Sequence, residues 1–108
     1  MPLCDLTSLA KALPRAWQST ILGRVGPARV KLLRMDEMAY GEEVHDYNEA
    51  LLVISGRMML EVAGQPVTVE AGHLYLVEAG VAHTVLAGSH GSLVIIDVAP
   101  EPLTACLP

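Results

Sequence analysis

The chain has 108 residues, a formal charge of −5 and a hydrophobic fraction of 52%, with no Phe, one Trp and three Tyr. This length suffices for one domain with one core, which must be built from aliphatic side chains and Met. An acidic surface repels nucleic acid and anionic lipid, and no apolar run is long enough to span a bilayer, so we expect neither nucleic acid nor a membrane as a partner. Because the N-terminus lacks a signal-peptide pattern, we expect a cytoplasmic protein.

The first predicted element is a short N-terminal helix over residues 5–13. Asp5 can cap its first turn, apolar residues recur at helical spacing, and Pro14 marks its end. Two strands, over residues 19–25 and 28–35, then flank a Gly-Pro turn signal. The sequence therefore predicts a helix followed by a β-hairpin.

From residue 40 onward, short apolar runs alternate with Gly-containing turns, and no segment is long enough for a further helix. This rhythm predicts an all-β domain, in which a helical segment over residues 1–18 precedes a barrel over residues 19–99 and a tail over residues 100–108. The apolar runs cover residues 50–54, 58–62, 67–69, 74–77, 84–86 and 93–98. Turns separate these runs, and one turn is predicted at residues 55–57.

Several of these runs are apolar at consecutive positions instead of alternating with polar residues. Such runs are typical of strands that are covered on both faces, whereas a barrel of this size covers only the inner face. A second layer is therefore expected on the outside. A homodimer that buries one sheet against its mate is the simplest source of that layer, so we expect the chain to associate with a second copy.

Polar residues interrupt the apolar pattern in two stretches, of which the first precedes the run at residues 50–54. Side chains two apart on a strand share a face, so Glu43, His45 and Tyr47 are expected to point the same way, and Glu49 joins them if the strand continues in register. An ionised carboxylate at the start of so apolar a run is costly unless it is paired or bound to a cation. Glu49 is therefore a candidate metal ligand.

The second stretch ends at His83, which follows a Gly-containing turn and opens the run at residues 84–86. A neutral imidazole is a good ligand for first-row metals and is otherwise poorly placed beside an apolar strand. His83 is therefore a second candidate ligand. In contrast, we expect His73 to point outward and His90 to lie exposed in a Gly-rich hairpin.

The two stretches resemble the two sequence motifs of the cupin superfamily, and the resemblance extends over residues 35–98. The first family motif places two His, a Glu and a Gly at fixed spacing, which is matched here by Glu43, His45, Glu49 and Gly56. The second motif is matched by residues 72–87, with His83 at its His position. The chain departs from the family pattern at Gly41, Glu43, Glu78 and Ala87, and Glu43 stands where the family has its first His.

The resemblance implies a jelly-roll or double Greek-key β-barrel that holds one divalent ion, Fe, Mn, Ni or Zn, through Glu43, His45, Glu49 and His83. Related cupins include metal-dependent oxygenases and isomerases as well as the sensor barrels of arabinose-type regulators, so the fold leaves the reaction open. We expect a metal-dependent enzyme for a small organic molecule. The alternatives are a non-catalytic ligand-binding or sensor barrel and a structural or interaction protein whose site is vestigial. Glu43 and Tyr47 are the candidate catalytic residues.

The expected ligand pocket is small and mainly apolar, bordered by Leu51, Val53 and some of the methionines. The sequence leaves open which way the strands that carry Arg29 and Lys31 face, so no basic residue is placed inside the barrel. A strongly anionic substrate such as a sugar phosphate is therefore disfavoured. Trp17 is expected to anchor the N-terminal segment to the barrel through its large apolar area.

Overall fold

The computed structural model describes residues 3–98, and this part of the chain forms one short helix followed by eight β-strands. The predicted all-β class with a short N-terminal helix is confirmed. The tail at residues 100–108, which includes Cys106, lies outside the described residues. The elements are α1 (Leu6–Ala12), β1 (Thr20–Val25), β2 (Ala28–Asp36), β3 (Tyr40–Glu43), β4 (Glu49–Val62), β5 (Gln65–Glu70), β6 (Leu74–Val77), β7 (His83–Val85) and β8 (His90–Asp97).

The strands form one antiparallel sheet in the order β1-β2-β8-β4-β7-β3, and β5 and β6 also pair with β4. Strand β4 is therefore the centre of the fold, with a different set of neighbours along each half of its length. The sheet curls around an aliphatic core, as the composition requires. The buried members of this core are Leu33, Met35, Leu51, Val53, Met58, Leu60, Val69, Val77, Leu93 and Ile95.

The predicted turn at residues 55–57 is wrong, because β4 continues through it without a break. Gly56 has a φ of +75° and Gly91 a φ of +99°, and the two lie opposite each other where β4 crosses the start of β8. A Cβ atom on Gly56 would collide with the carbonyl oxygen of His90, and one on Gly91 with that of Ser55. These glycines therefore permit close approach of two backbones inside a strand pair, which a sequence pattern alone does not distinguish from a turn.

Helix α1 covers part of the outer face of the sheet. Asp5 caps it by accepting a hydrogen bond from the Ser8 amide at 3.2 Å, and the helix ends just before Pro14, as predicted. Ala10 is buried against Leu32 and Val94, which point outward from β2 and β8. At seven residues, α1 is too short to cross a membrane, and residues 3–98 contain no other helix.

A second part of the outer face has no cover within residues 3–98. Leu76 pairs across the sheet with Ala50, which in turn pairs with Ile96, so three apolar side chains lie side by side on the outside. Leu74 and Leu76 are 60% and 53% exposed. Part of the predicted second layer is thus supplied by the chain's own helix, whereas an apolar strip formed by Leu74, Leu76 and Ile96 stays exposed.

Candidate metal centre and its cavity

The segment between β3 and β4 does not continue as a strand, contrary to the expectation that residues 43, 45 and 47 share one strand face. Strand β3 ends at Glu43, and β4 begins only at Glu49. The amide of Gly80 donates to the His45 carbonyl at 2.7 Å, and the amide of Ala79 donates to Asn48 Oδ1 at 2.8 Å. The turn before β7 therefore holds this segment in a bend that brings both of its ends to the same place.

The structure brings together all four of the predicted ligand residues. Glu43 lies directly opposite His83 in the β3-β7 pair, while His45 and Glu49 approach from the bend and the start of β4. One donor atom from each residue lies within 4.8 Å of all the others. The two imidazole Nε2 atoms lie 3.3–3.9 Å from the nearest carboxylate oxygens of Glu43 and Glu49.

These separations fit a shared cation better than direct hydrogen bonds. Ligand atoms at about 2.1 Å from a tetrahedral ion lie about 3.4 Å from one another. The Nε2 atoms of His45 and His83 are buried and have no hydrogen-bond partner in the described chain. A buried polar atom without a partner is costly, so two of them aimed at two carboxylates make a donor set that can hold a metal ion.

His83 is already oriented for such a role. Its Nδ1 lies 3.2 Å from the carbonyl oxygen of Val81. Because a carbonyl only accepts, Nδ1 carries the proton and Nε2 is left with a free lone pair directed at the carboxylates. A hydrogen bond from the distal ring nitrogen is the usual device by which proteins fix the tautomer of a metal-ligating histidine.

The electrostatic environment of Glu49 also favours a bound cation. This residue is 7% exposed, and burial raises the pKa of its carboxyl, an effect that the two neighbouring imidazoles offset only in part. A raised pKa means that the ionised form is destabilised in the fold unless a cation is nearby. Glu43 differs, because its side chain is 42% exposed at the mouth of the site.

Tyr47 lies beside the four residues. Its ring stacks on His45 with centroids 4.8 Å apart and an interplanar angle of 15°. Burial raises the pKa of the Tyr47 phenol, and the negative charges of Asp97 and Glu49 raise it further. The phenol therefore stays protonated near neutral pH and can donate a hydrogen bond to a molecule in the site.

The four residues and Tyr47 face an open cavity of about 190 Å³. Leu51 and Met58 form part of its apolar wall, as expected for a compact organic ligand, whereas Val53 lies behind them in the core. Trp17 borders the cavity as well. It stacks on Tyr40 and packs against the core, which confirms that it anchors the N-terminal segment.

The cavity also contains two basic residues that the sequence did not place inside. Arg29 and Lys31 share the inner face of β2 with core residue Leu33, and both contact Asp97 on β8. The facing of these two residues, which the sequence left open, is therefore decided by the structure, and both line the pocket. Two signals were present in the sequence: residues 29, 31 and 33 share one strand face, and Asp97 interrupts an apolar run just as Glu49 precedes one.

The remaining two histidines lie outside the site, as expected. His73 is exposed, and its Nδ1 accepts a hydrogen bond from the Glu70 amide at 3.2 Å. His90 is exposed at the start of β8 and does not belong to the cavity lining. Of the four histidines in the chain, only His45 and His83 belong to the cluster.

Comparison with known families now identifies the class of protein. The sequence model of the Cupin_2 family, described as a cupin domain, matches residues 34–99, which is more than half of the chain. The chain is a cupin. None of the curated proteins matches it significantly, so the family membership rests on the domain match and on the fold.

Solved structures agree with this cupin fold. A cupin-2 domain protein from Shewanella frigidimarina aligns with a TM-score of 0.81 at 21% identity, over 93% of this chain and 96% of that one. Protein NMB1881 from Neisseria meningitidis aligns with a TM-score of 0.77 at 24% identity, over 90% and 99%. The hydroquinone 1,2-dioxygenase PnpCD aligns with a TM-score of 0.76 at 16% identity, over 93% and 74%. At these identities the likeness shows the fold and leaves the reaction open.

Proposed function

We propose that this cupin binds one divalent first-row metal ion through Glu43, His45, Glu49 and His83 and acts as a metal-dependent enzyme on a small organic molecule. The observation that supports this most strongly is the pair of buried, unpartnered Nε2 atoms that face two carboxylates. Fe, Mn, Ni and Zn all accept a set of two imidazoles and two carboxylates.

The ion, when bound, supplies a Lewis acid that polarises a carbonyl or hydroxyl oxygen of the substrate. Leu51 and Met58 form an apolar part of the wall that the substrate would contact. Tyr47 stays protonated and is placed to donate a hydrogen bond to the substrate. These features suit an isomerase that acts on a compact substrate, whereas an oxygenase would in addition need O₂ and a redox-active ion such as Fe.

Glu43 decides how reactive the site is. If its carboxylate binds the ion, the added negative charge lowers the Lewis acidity of the metal. If it stays free, its position at the mouth of the cavity, 3.7 Å from His45 Nε2, makes it the best-placed general base. Its 42% exposure, against 9% for the side chain of Glu49, favours Glu43 as the weaker of the two carboxylate ligands.

The decisive experiment is elemental analysis of protein purified without a metal-affinity tag. We expect about one equivalent of metal per chain, lost in His45→Ala and His83→Ala and retained in His90→Ala, whose imidazole is exposed and outside the cluster. No bound metal, together with no change of melting temperature on addition of Mn, Fe, Ni or Zn, would reject the proposal. Bound metal without turnover of any candidate substrate would instead support the sensor-barrel alternative.

A homodimer is proposed as the working form of the protein. The strip formed by Leu74, Leu76 and Ile96 is an apolar part of the outer face that stays exposed within residues 3–98. Neighbouring apolar side chains on the outer face of a sheet are a common surface for a self-complementary contact between two copies. Burial of this strip would complete the second layer that the apolar runs require.

A further inference from the structure

A charged cluster lies in the cavity beside the four predicted ligands. Arg29 binds the Asp97 carboxylate through two nitrogens, with Nε at 2.8 Å and Nη2 at 3.1 Å, and Lys31 Nζ lies 2.7 Å from Oδ2. The Asp97 side chain is 2% exposed, and those of Arg29 and Lys31 are 23% and 14% exposed. In this cluster, one carboxylate therefore faces two cations, and all three side chains lie in the cavity wall.

The charge balance of the cavity changes sign when a metal ion is bound. Its lining contains three carboxylates, those of Glu43, Glu49 and Asp97, and two cations. With neutral imidazoles, the lining carries one net negative charge. A bound divalent ion changes this to one net positive charge. In a half-enclosed cavity this excess is screened less than in water, so it attracts a compact monoanion.

The cluster and the metal centre are adjacent parts of one site. Ala50 pairs with Ile96, so Glu49 and Asp97 are the next residues on the same two strands, and both face the cavity. A molecule that fits a cavity of about 190 Å³ can therefore contact both groups at once.

Lys31 is the better candidate of the two cations for contact with a ligand. An ammonium group has three N–H donors, and its contact with Asp97 Oδ2 uses one of them. Asp97 and the β2 backbone hold the ammonium group of Lys31 inside the cavity. Asp97 carries a single negative charge, so it does not neutralise both Arg29 and Lys31. A carboxylate of a bound molecule would complete both the charge balance and the hydrogen bonding of Lys31.

We propose that the pocket takes a compact organic monocarboxylate whose anionic group binds Lys31 and Arg29 while a second oxygen of the same molecule faces the metal centre. This inference rests on the proposed metal-dependent function and names the substrate class of that site. It revises the expectation from sequence that the pocket is mainly apolar, and it names a singly charged anion rather than the strongly anionic class that the sequence disfavoured.

Isothermal titration calorimetry on the full chain tests this proposal, after the protein is loaded with Mn²⁺ or Zn²⁺, whichever binds more tightly. The probes are pyruvate and salicylate, each measured against its neutral amide. We expect at least one acid to bind about tenfold or more tightly than its amide. Lys31→Met keeps the apolar stem and removes the charge, so it should reduce this preference to about twofold or less.

Two further variants serve as controls, one for the positive charge at residue 31 and one for a Lys-to-Met substitution as such. Lys31→Arg keeps the positive charge and should keep the preference for the acid. Lys11→Met makes the same exchange at an exposed position on α1 and should leave both affinities unchanged. A preference that came from the metal ion alone would survive in Lys31→Met.

The outcomes separate this inference from the function on which it rests. Equal affinity for acids and amides in the unsubstituted protein, or a preference that survives Lys31→Met, overturns the inference and leaves the metal site standing. Failure to take up any divalent ion overturns both. If the melting curve shows that Lys31→Met does not fold, the inference is tested by comparing acid and amide affinities in the unsubstituted protein and in Lys31→Arg.

Discussion

His83 Nε2 lies 3.3 Å from Glu49 Oε1, although the two residues come from different strands and are both almost completely buried. The imidazole is held by the Val81 carbonyl through its other nitrogen, and burial raises the pKa of the carboxyl. The fold therefore places a free lone pair against a carboxylate that lacks a counter-charge. This arrangement is stable at neutral pH when a cation lies between them.

The two carboxylates should contribute unequally to metal affinity. We expect Glu49→Gln to weaken binding of Zn²⁺ or Mn²⁺ about 100-fold or more, and Glu43→Gln to weaken it about tenfold, because Glu49 is buried and Glu43 is exposed at the mouth. Titration with a competing chelator measures both affinities. Equal losses in the two variants would contradict this ranking.

Although Glu49→Gln should weaken metal binding, it should not destabilise the metal-free protein. A raised pKa means that ionised Glu49 costs stability at neutral pH, a cost that disappears as the pH falls and the carboxyl is protonated. Glu49→Gln mimics the protonated form. In the presence of a chelator at pH 7, we therefore expect its melting temperature to equal or exceed that of the unsubstituted protein, and a clear decrease would rule out this account.

Asp97→Asn should destabilise the fold by about 3 kcal/mol at neutral pH, because it leaves Arg29 and Lys31 without their shared carboxylate. Burial alone raises the pKa of Asp97, but hydrogen bonds from Arg29 and Lys31 outweigh it and place the pKa below its ordinary value of 3.8. The stabilisation is therefore complete above that ordinary value and is lost as the pH falls through the lower, folded-state pKa.

Urea denaturation at pH 7 and in steps below pH 4 measures this dependence. The difference in unfolding free energy between the unsubstituted protein and Asp97→Asn should be constant near neutrality and should shrink in acid. Asp36→Asn, at an exposed position at the end of the same strand as Arg29, provides the control and should show a small difference at every pH. A difference that persists unchanged in acid would argue against an ionic origin.

Gly56→Ala should destabilise the fold by about 3 kcal/mol, because the added Cβ collides with the His90 carbonyl and the backbone φ of +75° is strained for alanine. Gly41→Ala is the matched control, since its Cβ would meet no atom within 4 Å and its φ is not positive. Thermal or chemical denaturation compares the two. Similar melting temperatures for both variants would contradict the close crossing of β4 and β8.

Leu76→Lys should weaken the proposed homodimer without unfolding the chain, since Leu76 is 53% exposed on the outer face. Sedimentation velocity at several concentrations measures the association. Thr68→Lys, at an exposed position on β5, introduces the same charge away from the strip and should leave the association unchanged. A protein that is already monomeric before substitution would reject the dimer.

The parts of the fold that depend on local pattern could be predicted from the sequence. The helix limits followed from Asp5 and Pro14, and the strands followed from the apolar runs. The turn at residues 55–57 was predicted wrongly, because a glycine needed for close contact between two strands looks the same in sequence as a glycine in a turn. Only the position of Gly91 across the sheet distinguishes them.

For the candidate site, the spacing of Glu43, His45, Glu49 and His83 in the cupin motifs determined which residues to consider. The cost of burying a polar group beside an apolar strand also indicated Glu49 and His83, whereas Glu43 followed from the spacing alone. Tertiary structure alone decided that their donor atoms converge, because a bend held from another turn brings them together. It also decided the character of the pocket. The direction in which Arg29 and Lys31 point depends on which face of β2 the curled sheet encloses, and that is a property of the whole sheet and not of any one strand.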